Sequence, residues 1–468
     1  MKDLWRSDAV EMASAIRARR VSSREFIEAT LARIQDVNPT INAIVECRAD
    51  EALRAADEAD AAVRRGDELA PLHGVPITTK VNVDQAGYAT TDGVAALKDN
   101  LASSDSPVVS KLRKAGAVFV GRTNTPAFSS RWFTDNDIHG RTLNPINPDL
   151  TPGGSSGGAS AAVATGMCAL AHGNDIGGSI RYPAYACGVA GLRPSFGRVP
   201  AHNSTAKGER PLMYQLAAAQ GPLARTVRDL RLGLAVMSGP DPRDPWSVPA
   251  PLVGAPPRQP IRVAMSIDPM GTGVAPIVEE SLRESARYLA AGGYLVEEVD
   301  LPMMRDATQL WNETVLAIGQ LRIKKVGPEI GGAAFLNAFR GMSDLAPSVN
   351  LESFIGSLER RMTILREWTM FFERYPVALL PVSLEPPFKL GRDQQGPEEM
   401  AKLIHALAPM LATPVLGVPG VSVPIGFKGG IPMGVQIVAA QYRDDLCFDA
   451  AEVIETQARV QMPFSRIT

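Results

Sequence analysis

Residues 151–158 read TPGGSSGG, and residues 173–183 read GNDIGGSIRYP. Glycine loses more backbone freedom on folding than any other residue, so this density predicts a left-handed backbone or a close approach to a ligand. An oxyanion hole and an anion cradle are the two candidates. A phosphate-binding loop of the Walker type is excluded, because that pattern needs a lysine after its last glycine and Gly158 is followed by alanine.

A nucleophile elbow is a second possibility, because residues 153–157 match Gly-x-Ser-x-Gly. It would make the chain a Ser-His-Asp esterase with Ser155 as nucleophile, which we keep as the minor alternative. A nucleophile elbow normally follows a strand, whereas the residues before Gly153 resemble a loop. It also needs a histidine downstream, and the candidates, in no distinctive setting, are His172, His202 and His405.

Outside this stretch, short apolar runs bounded by Gly and Pro alternate with helical patterns. Residues 75–81 and 117–121 are typical of buried strands, and Pro107–Lys114 between them of a helix with proline in its first turn. The alternation continues to a closing helix at Asp444–Ala458. It predicts an α/β fold, with a mixed central sheet covered by helices on both faces.

Three regions are predicted. Residues 1–70 form a helical N-terminal region packed on the core, where Ser22 and Glu25 have the spacing of a capping box. Residues 71–240 form the core, which includes the Gly/Ser-rich loop expected to be catalytic. Residues 241–468 complete the same domain and include a variable helical cap at about 303–374, called the cap below.

Composition excludes several functions. The 468 residues carry 48 basic and 50 acidic side chains. Because basic side chains are not in excess, we expect neither nucleic acid nor an anionic membrane as a partner. The four cysteines are far apart, which predicts neither a disulfide framework nor a metal site. The first residues lack a signal-like apolar run. We expect a cytoplasmic protein without cofactor, a monomer or homodimer acting on a small molecule.

Further motifs stand at 72–80 (LHGVPITTK), 121–126 (GRTNTP), 191–195 (GLRPS) and 432–436 (PMGVQ). Together with the two Gly/Ser-rich stretches, they resemble the amidase signature family over nearly the whole chain. The resemblance implies the amidase-signature fold and hydrolysis of a carbon–nitrogen bond.

The resemblance implies a role for each matched residue. Ser179 is expected as nucleophile, Ser155 as a bridging serine after a cis peptide bond, and Lys80 as base. Ser156 is expected to support the loop, as is an ion pair between Asp175 and Arg181. The expected oxyanion donors are the backbone N–H groups of Ile176, Gly177, Gly178 and Ser179.

The base must be neutral to accept a proton. A free lysine titrates near ~10.4, so Lys80 is expected to be buried, which lowers the pKa of an amine. Val81 and Ala127 depart from acidic residues common in the family, but neither belongs to the triad.

The substrate pocket is expected at Phe128, Ser129, Arg131 and Trp132, covered by the Met- and aromatic-rich cap. This predicts bulky apolar or aryl amides, with possible ester or carbamate hydrolysis. The alternative, also implied by the resemblance, is the A-type component of a tRNA-dependent glutamine amidotransferase complex. The cap residues that suggest an apolar cover also suit simple helix packing.

Overall fold

The structure is a computed structural model and describes residues 3–462 and residue 464. Its strands are β1 Ile44–Glu46, β2 Pro76–Lys80, β3 Val118–Thr123, β4 Leu170–Asp175, β5 Ala190–Arg193, β6 Ala219–Ala224, β7 Arg262–Met265, β8 Leu295–Glu298, β9 Val377–Pro381, β10 Gly420–Lys428 and β11 Ile431–Ala439.

The α-helices are α1 Ala9–Arg17, α2 Ser23–Ile41, α3 Ala49–Arg65, α4 Pro107–Lys114, α5 Gly157–Ala164, α6 Arg181–Cys187, α7 Leu212–Ala217, α8 Val227–Met237, α9 Pro276–Ala291, α10 Met304–Trp311, α11 Ala317–Val326, α12 Ala333–Leu345, α13 Leu351–Arg374, α14 Pro397–Ala406, α15 Ala408–Leu416 and α16 Asp444–Ala458. Short 3-10 helices lie at Leu4–Arg6, Ala95–Leu97, Ala127–Ser129, Pro328–Gly331 and Arg392–Gln394, and a π-helical turn at Asn312–Leu316 joins α10 to α11.

The strands form one mixed sheet in the order β1-β3-β2-β4-β6-β5-β10-β11-β9-β7-β8. Strand β2 is parallel to β3 and to β4, whereas β4, β6, β5, β10, β11 and β9 run antiparallel to one another in succession. The α/β fold with a mixed sheet is therefore confirmed, and strands from residues 71–240 and 241–468 share that sheet.

Local sequence signals agree with the elements that they predicted. The Ser22 side chain accepts from the Glu25 N–H and the Glu25 carboxylate accepts from the Ser22 N–H, so the capping box begins α2. Helices α4 and α16 have the predicted bounds. Strands β4, β5 and β6 were not predicted, because they lie in the glycine- and alanine-rich region where the apolar contrast is weak.

The parallel pairing of β2 with β4 positions the site. Lys80 is the last residue of β2 and Asp175 the last of β4, so both lie at the same edge of the sheet. In open α/β sheets this carboxyl edge is where ligands bind. Helix α5 begins directly after the 151–156 loop, and α6 begins two residues after Ser179.

Candidate active site

Lys80 ends a strand in which every residue is buried, and its own side chain is fully shielded from solvent. Its Nζ lies 2.7 Å from Ser155 Oγ, 3.2 Å from Ser156 Oγ and 2.9 Å from Asn174 Oδ1. The contact with Ser155 that the expected role of Lys80 as base requires is therefore present. Asn174, the third partner, was not predicted from the sequence.

Burial disfavours the ammonium form and lowers the pKa of Lys80 to about 7, although the carboxylates of Asp92 and Asp175 partly oppose this. The α-helix that begins at Gly157 starts directly after Ser156, and the positive end of its dipole also disfavours the ammonium form. A substantial share of Lys80 is therefore neutral near pH 7, as general-base catalysis requires.

The serine loop precedes α5. The Gly154–Ser155 peptide is cis in the structure. The Ser156 N–H donates to the Ser179 carbonyl at 3.1 Å, which ties this loop to the one that carries Ser179. Both Ser155 and Ser179 face one cavity.

The expected ion pair is present beneath Ser179, fully buried. Asp175 accepts from Nη2 of Arg181 at 2.9 Å and from its Nε at 3.0 Å. Burial by itself raises the pKa of the Asp175 carboxyl, but Arg181, Arg193 and the Gly178 N–H lower it to about 2. Arg181 also donates to Met410, Thr413 and Gln436, so all five of its N–H groups are bound.

One predicted oxyanion donor needs correction. The Gly178 N–H donates to the Asp175 carboxylate at 2.8 Å, so this donor is already in use. In the described part of the chain, the N–H groups of Ile176, Gly177 and Ser179 have no protein acceptor. These three remain for a substrate oxyanion.

Two indole N–H groups bind carbonyls of the same loop. Trp311 Nε1 donates to the Ile176 carbonyl at 2.7 Å, and Trp132 Nε1 donates to the Gly177 carbonyl at 2.8 Å. Fixing a carbonyl also fixes the N–H of the next residue, because the peptide unit is planar. The two tryptophans therefore orient the N–H groups of Gly177 and Gly178.

Positions 177 and 178 have no room for a side chain. A Cβ on Gly177 would lie 2.7 Å from the Trp311 ring, and one on Gly178 would lie 2.8 Å from the Met410 methyl. Gly178 has a φ of 95°, a region that L side chains rarely adopt. Packing and backbone conformation thus require these glycines.

The cavity over the serines has a volume of about 960 Å³. All four predicted pocket residues line it: Phe128, Ser129, Arg131 and Trp132. The Arg131 guanidinium, however, is paired with Asp393 and Asp135 and is almost fully buried. Arg131 therefore supports the wall, and its charge is not available to a substrate.

The cap covers one side of the cavity, with Trp311, Val315, Leu316 and Ile323 as apolar lining. Among the Met and aromatic residues that drew attention to the cap, Met342 also lines the cavity. Others pack helices together or lie at the surface; Trp368 is buried in the core, and Met370 is 60% exposed. Both interpretations of the cap are thus correct in part.

In the described residues, none of the three histidines of the esterase alternative is hydrogen-bonded to Ser155. His172 Nε2 donates to Gln220 Oε1 at 2.7 Å, and burial lowers the pKa of His172 to about 4. His405 contacts Thr272, and His202 lines the cavity. Ser155 is bound by Lys80 instead.

Three polar residues near Lys80 were missed from the sequence: Asn82, Asp92 and Asn174. All three line the cavity. A signal was present, since Asn82 follows Lys80 closely and Asp92 stands in the polar turn before Gly93. Their spacing alone does not show that they meet.

Within residues 3–462 and residue 464, no helix is long and apolar enough to cross a membrane. The same residues include no group of three His, Cys, Asp or Glu side chains arranged to bind a metal ion.

Comparison with known proteins agrees with this geometry. The Amidase family model matches residues 25–448, so the chain belongs to the amidase family. It is an amidase-signature hydrolase of amide bonds.

Individual relatives are also informative. The chain is 46% identical over 463 residues to an indoleacetamide hydrolase of Bradyrhizobium diazoefficiens, covering 98% of this chain and 87% of that one. It is 33% identical to the A-type component of the glutamyl-tRNA(Gln) amidotransferase of Acidothermus cellulolyticus, covering 98% and 96%. A solved bacterial aryl acylamidase of the amidase signature family superposes with a TM-score of 0.83 at 27% identity, covering 98% of both chains.

Proposed function

We propose that this enzyme hydrolyses linear amides with a bulky aryl group, of the indole-3-acetamide class, through an acyl-enzyme on Ser179. The observation that carries the proposal is a fully buried Lys80 with Nζ 2.7 Å from the Oγ of Ser155, which lines a large cavity with aromatic walls.

In the first step, neutral Lys80 takes the Ser155 proton while Ser155 takes the Ser179 proton. Ser179 Oγ attacks the amide carbon and forms a tetrahedral oxyanion. Its charge is stabilised by the free N–H groups of Ile176, Gly177 and Ser179, donors that contribute about 3–4 kcal/mol each in comparable sites.

In the second step, the intermediate collapses and the carbon–nitrogen bond breaks. Ser155 delivers a proton to the leaving nitrogen and regains one from the Lys80 ammonium, so the amine leaves neutral. Water then attacks the acyl-enzyme, and its proton passes through Ser155 to Lys80. As the second intermediate collapses, that proton returns from Lys80 through Ser155 to Ser179 Oγ, and the acid leaves. The same acyl transfer serves esters and carbamates.

The lining of the cavity supports an aryl substrate. Trp132 and Trp311 lie beside the loop at residues 176–179, which carries the expected oxyanion donors, and their ring centroids are 6.3 Å apart. Val315, Leu316 and Ile323 extend the apolar wall. A planar aryl group buries apolar surface well in such a pocket. The relative that hydrolyses indoleacetamide, as its name states, suggests the particular aryl class.

The test is turnover by the purified chain alone. We expect release of ammonia and indole-3-acetate from indole-3-acetamide, and no release by Ser179→Ala. Fluorophosphonate labelling followed by peptide mass spectrometry should place the adduct on Ser179. An adduct on Ser155 with Ser179 unmodified would overturn the assigned roles.

The amidotransferase alternative makes a different prediction with glutamine as substrate. An amidotransferase component of the A type would release ammonia from glutamine and would do so efficiently only with its partner chains. Turnover of aryl amides without partners, combined with poor turnover of glutamine, supports the free-standing hydrolase. The reverse pattern would favour the amidotransferase.

A further inference from the structure

Four hydrogen bonds connect Lys80 to Asp92. Lys80 Nζ lies 2.9 Å from Asn174 Oδ1, and Asn174 Nδ2 lies 3.0 Å from Asn82 Oδ1. Asn82 Nδ2 lies 2.9 Å from Ser129 Oγ, and Ser129 Oγ lies 2.5 Å from Asp92 Oδ1. In every link, the residue nearer Lys80 donates and the residue nearer Asp92 accepts.

Burial raises the pKa of Asp92 to about 6, so above that pH its carboxyl is ionised. The ionised carboxylate fixes this direction, because it accepts hydrogen bonds and donates none. The Ser129 hydroxyl must therefore donate to Asp92. Its lone pairs then accept from Asn82 Nδ2 and from Thr125 Oγ1, which lies 3.0 Å away. The Asn82 amide is thus oriented with its oxygen toward Asn174, and Asn174 with its oxygen toward Lys80.

The direction matters for the base. A neutral lysine has two N–H groups and one lone pair. With Asn174 Oδ1 and Ser156 Oγ accepting the two N–H groups, the lone pair is left for the Ser155 proton. If the Asn174 amide were reversed, its NH₂ would donate to the lysine lone pair and compete with Ser155.

We propose that Asp92 is a positioning residue, which acts through Ser129, Asn82 and Asn174 to direct the lone pair of Lys80 toward Ser155. The inference rests on the proposed role of Lys80 as base. Asp92 acts without touching the reacting atoms.

The test substitution is Asp92→Asn. Asp92 has a φ of 48°, a region that asparagine tolerates as well as aspartate, so the fold is expected to persist. Asparagine can donate to Ser129, so the direction of the chain is no longer fixed. Asp99→Asn is the matched control, since it removes the same charge from a nearby exposed side chain.

The readout is the rate of inactivation by a fluorophosphonate, measured from pH 5 to pH 10, because it reports on Ser179 activation without a chosen substrate. We expect Asp92→Asn to lower the high-pH plateau about tenfold, roughly the difference between a charged and a neutral hydrogen-bond partner. Asp99→Asn should retain the wild-type plateau. An unchanged Asp92→Asn plateau with only a shifted midpoint would mean a through-space charge effect and would overturn the proposal.

A double-mutant cycle separates the chain from a general structural role. Asn174→Ala breaks the chain, so adding Asp92→Asn to it should change the plateau less than twofold. If the two substitutions instead lower the plateau by factors that multiply, the proposal is overturned. If the wild-type enzyme labels at a residue other than Ser179, the proposed function fails and this inference with it. Labelling at Ser179 with equal rates for wild type and Asp92→Asn removes this inference alone.

Discussion

The floor of the active site and the cap above it are held by different forces. The floor, formed by Lys80, residues 154–158 and residues 174–181, is fixed by buried hydrogen bonds and the Asp175–Arg181 ion pair. The cap is fixed by apolar contacts together with the Glu313–Arg360 ion pair, and it carries exposed side chains such as Leu351, 76% exposed, and Met370. Hydrogen bonds are directional and hydrophobic contacts are not. Reaction chemistry and substrate choice can therefore change separately.

The largest expected effect comes from the floor. Lys80→Met keeps the length of the side chain and removes the proposed base, so we expect kcat to fall by about 10⁴-fold or more, as for other residues that act as a unit with the nucleophile. Steady-state kinetics with indole-3-acetamide measures this.

The same variant separates catalysis from stability. The native state disfavours a charged Lys80, so it binds fewer protons than the unfolded state between about pH 7 and the free-lysine value, and wild-type stability falls as pH falls through that window. Lys80→Met should therefore melt at an equal or higher temperature than wild type at pH 7. A strong loss of folded protein would contradict this.

The pH profile is the next test of the floor. In the proposed mechanism the neutral amine is the active form, and burial lowers the pKa of Lys80 to about 7, so kcat/KM should rise with pH through about 7 and then level off. Measurement from pH 5 to pH 9 checks this. A profile that is flat across this range, or one that falls with rising pH, would show that another group is the base.

Trp311 belongs to the cap but binds the floor, so its variant tests where the two regions join. Trp311→Phe keeps a ring and removes the N–H bonded to the Ile176 carbonyl. We expect kcat to fall about tenfold, the worth of one hydrogen bond of about 1–2 kcal/mol, with a smaller change in KM.

The matched control is Trp368→Phe in the same cap. Within the described residues, the Trp368 indole N–H has no hydrogen-bond partner, so its loss should leave kcat near the wild-type value. Equal falls in kcat for both variants would mean that ring volume matters and the hydrogen bond does not.

The smallest expected effect lies within the cap. Ile323→Ala shortens the apolar wall, so KM for indole-3-acetamide should rise roughly fivefold, in keeping with the loss of about 1 kcal/mol of apolar contact. kcat should stay close to wild type, and a short aliphatic amide should show little change in either constant. Ile355→Ala, at an exposed cap position, is the control. A fall in kcat with an unchanged KM would show that the cap takes part in the chemistry.

Much of this protein was determined by its sequence alone. The α/β class follows from alternating apolar runs and helices, and the starts of α2 and α4 follow from local signals at Ser22 and Pro107. The candidate triad follows from matched motifs. These signals are local, because a helix cap, a strand or a motif is encoded by residues that are neighbours in the sequence.

Only the tertiary structure decided which groups meet. Three features join residues that are separate in the sequence. Asp175 accepts from the Gly178 N–H, two indoles donate to the carbonyls of residues 176 and 177, and a hydrogen-bonded chain runs from Lys80 to Asp92. Donor and acceptor identity is encoded in the sequence, but their pairing depends on sheet order and on distances of about 3 Å. Such distances are set by how β2, β4 and the cap pack together, which no spacing along the chain specifies.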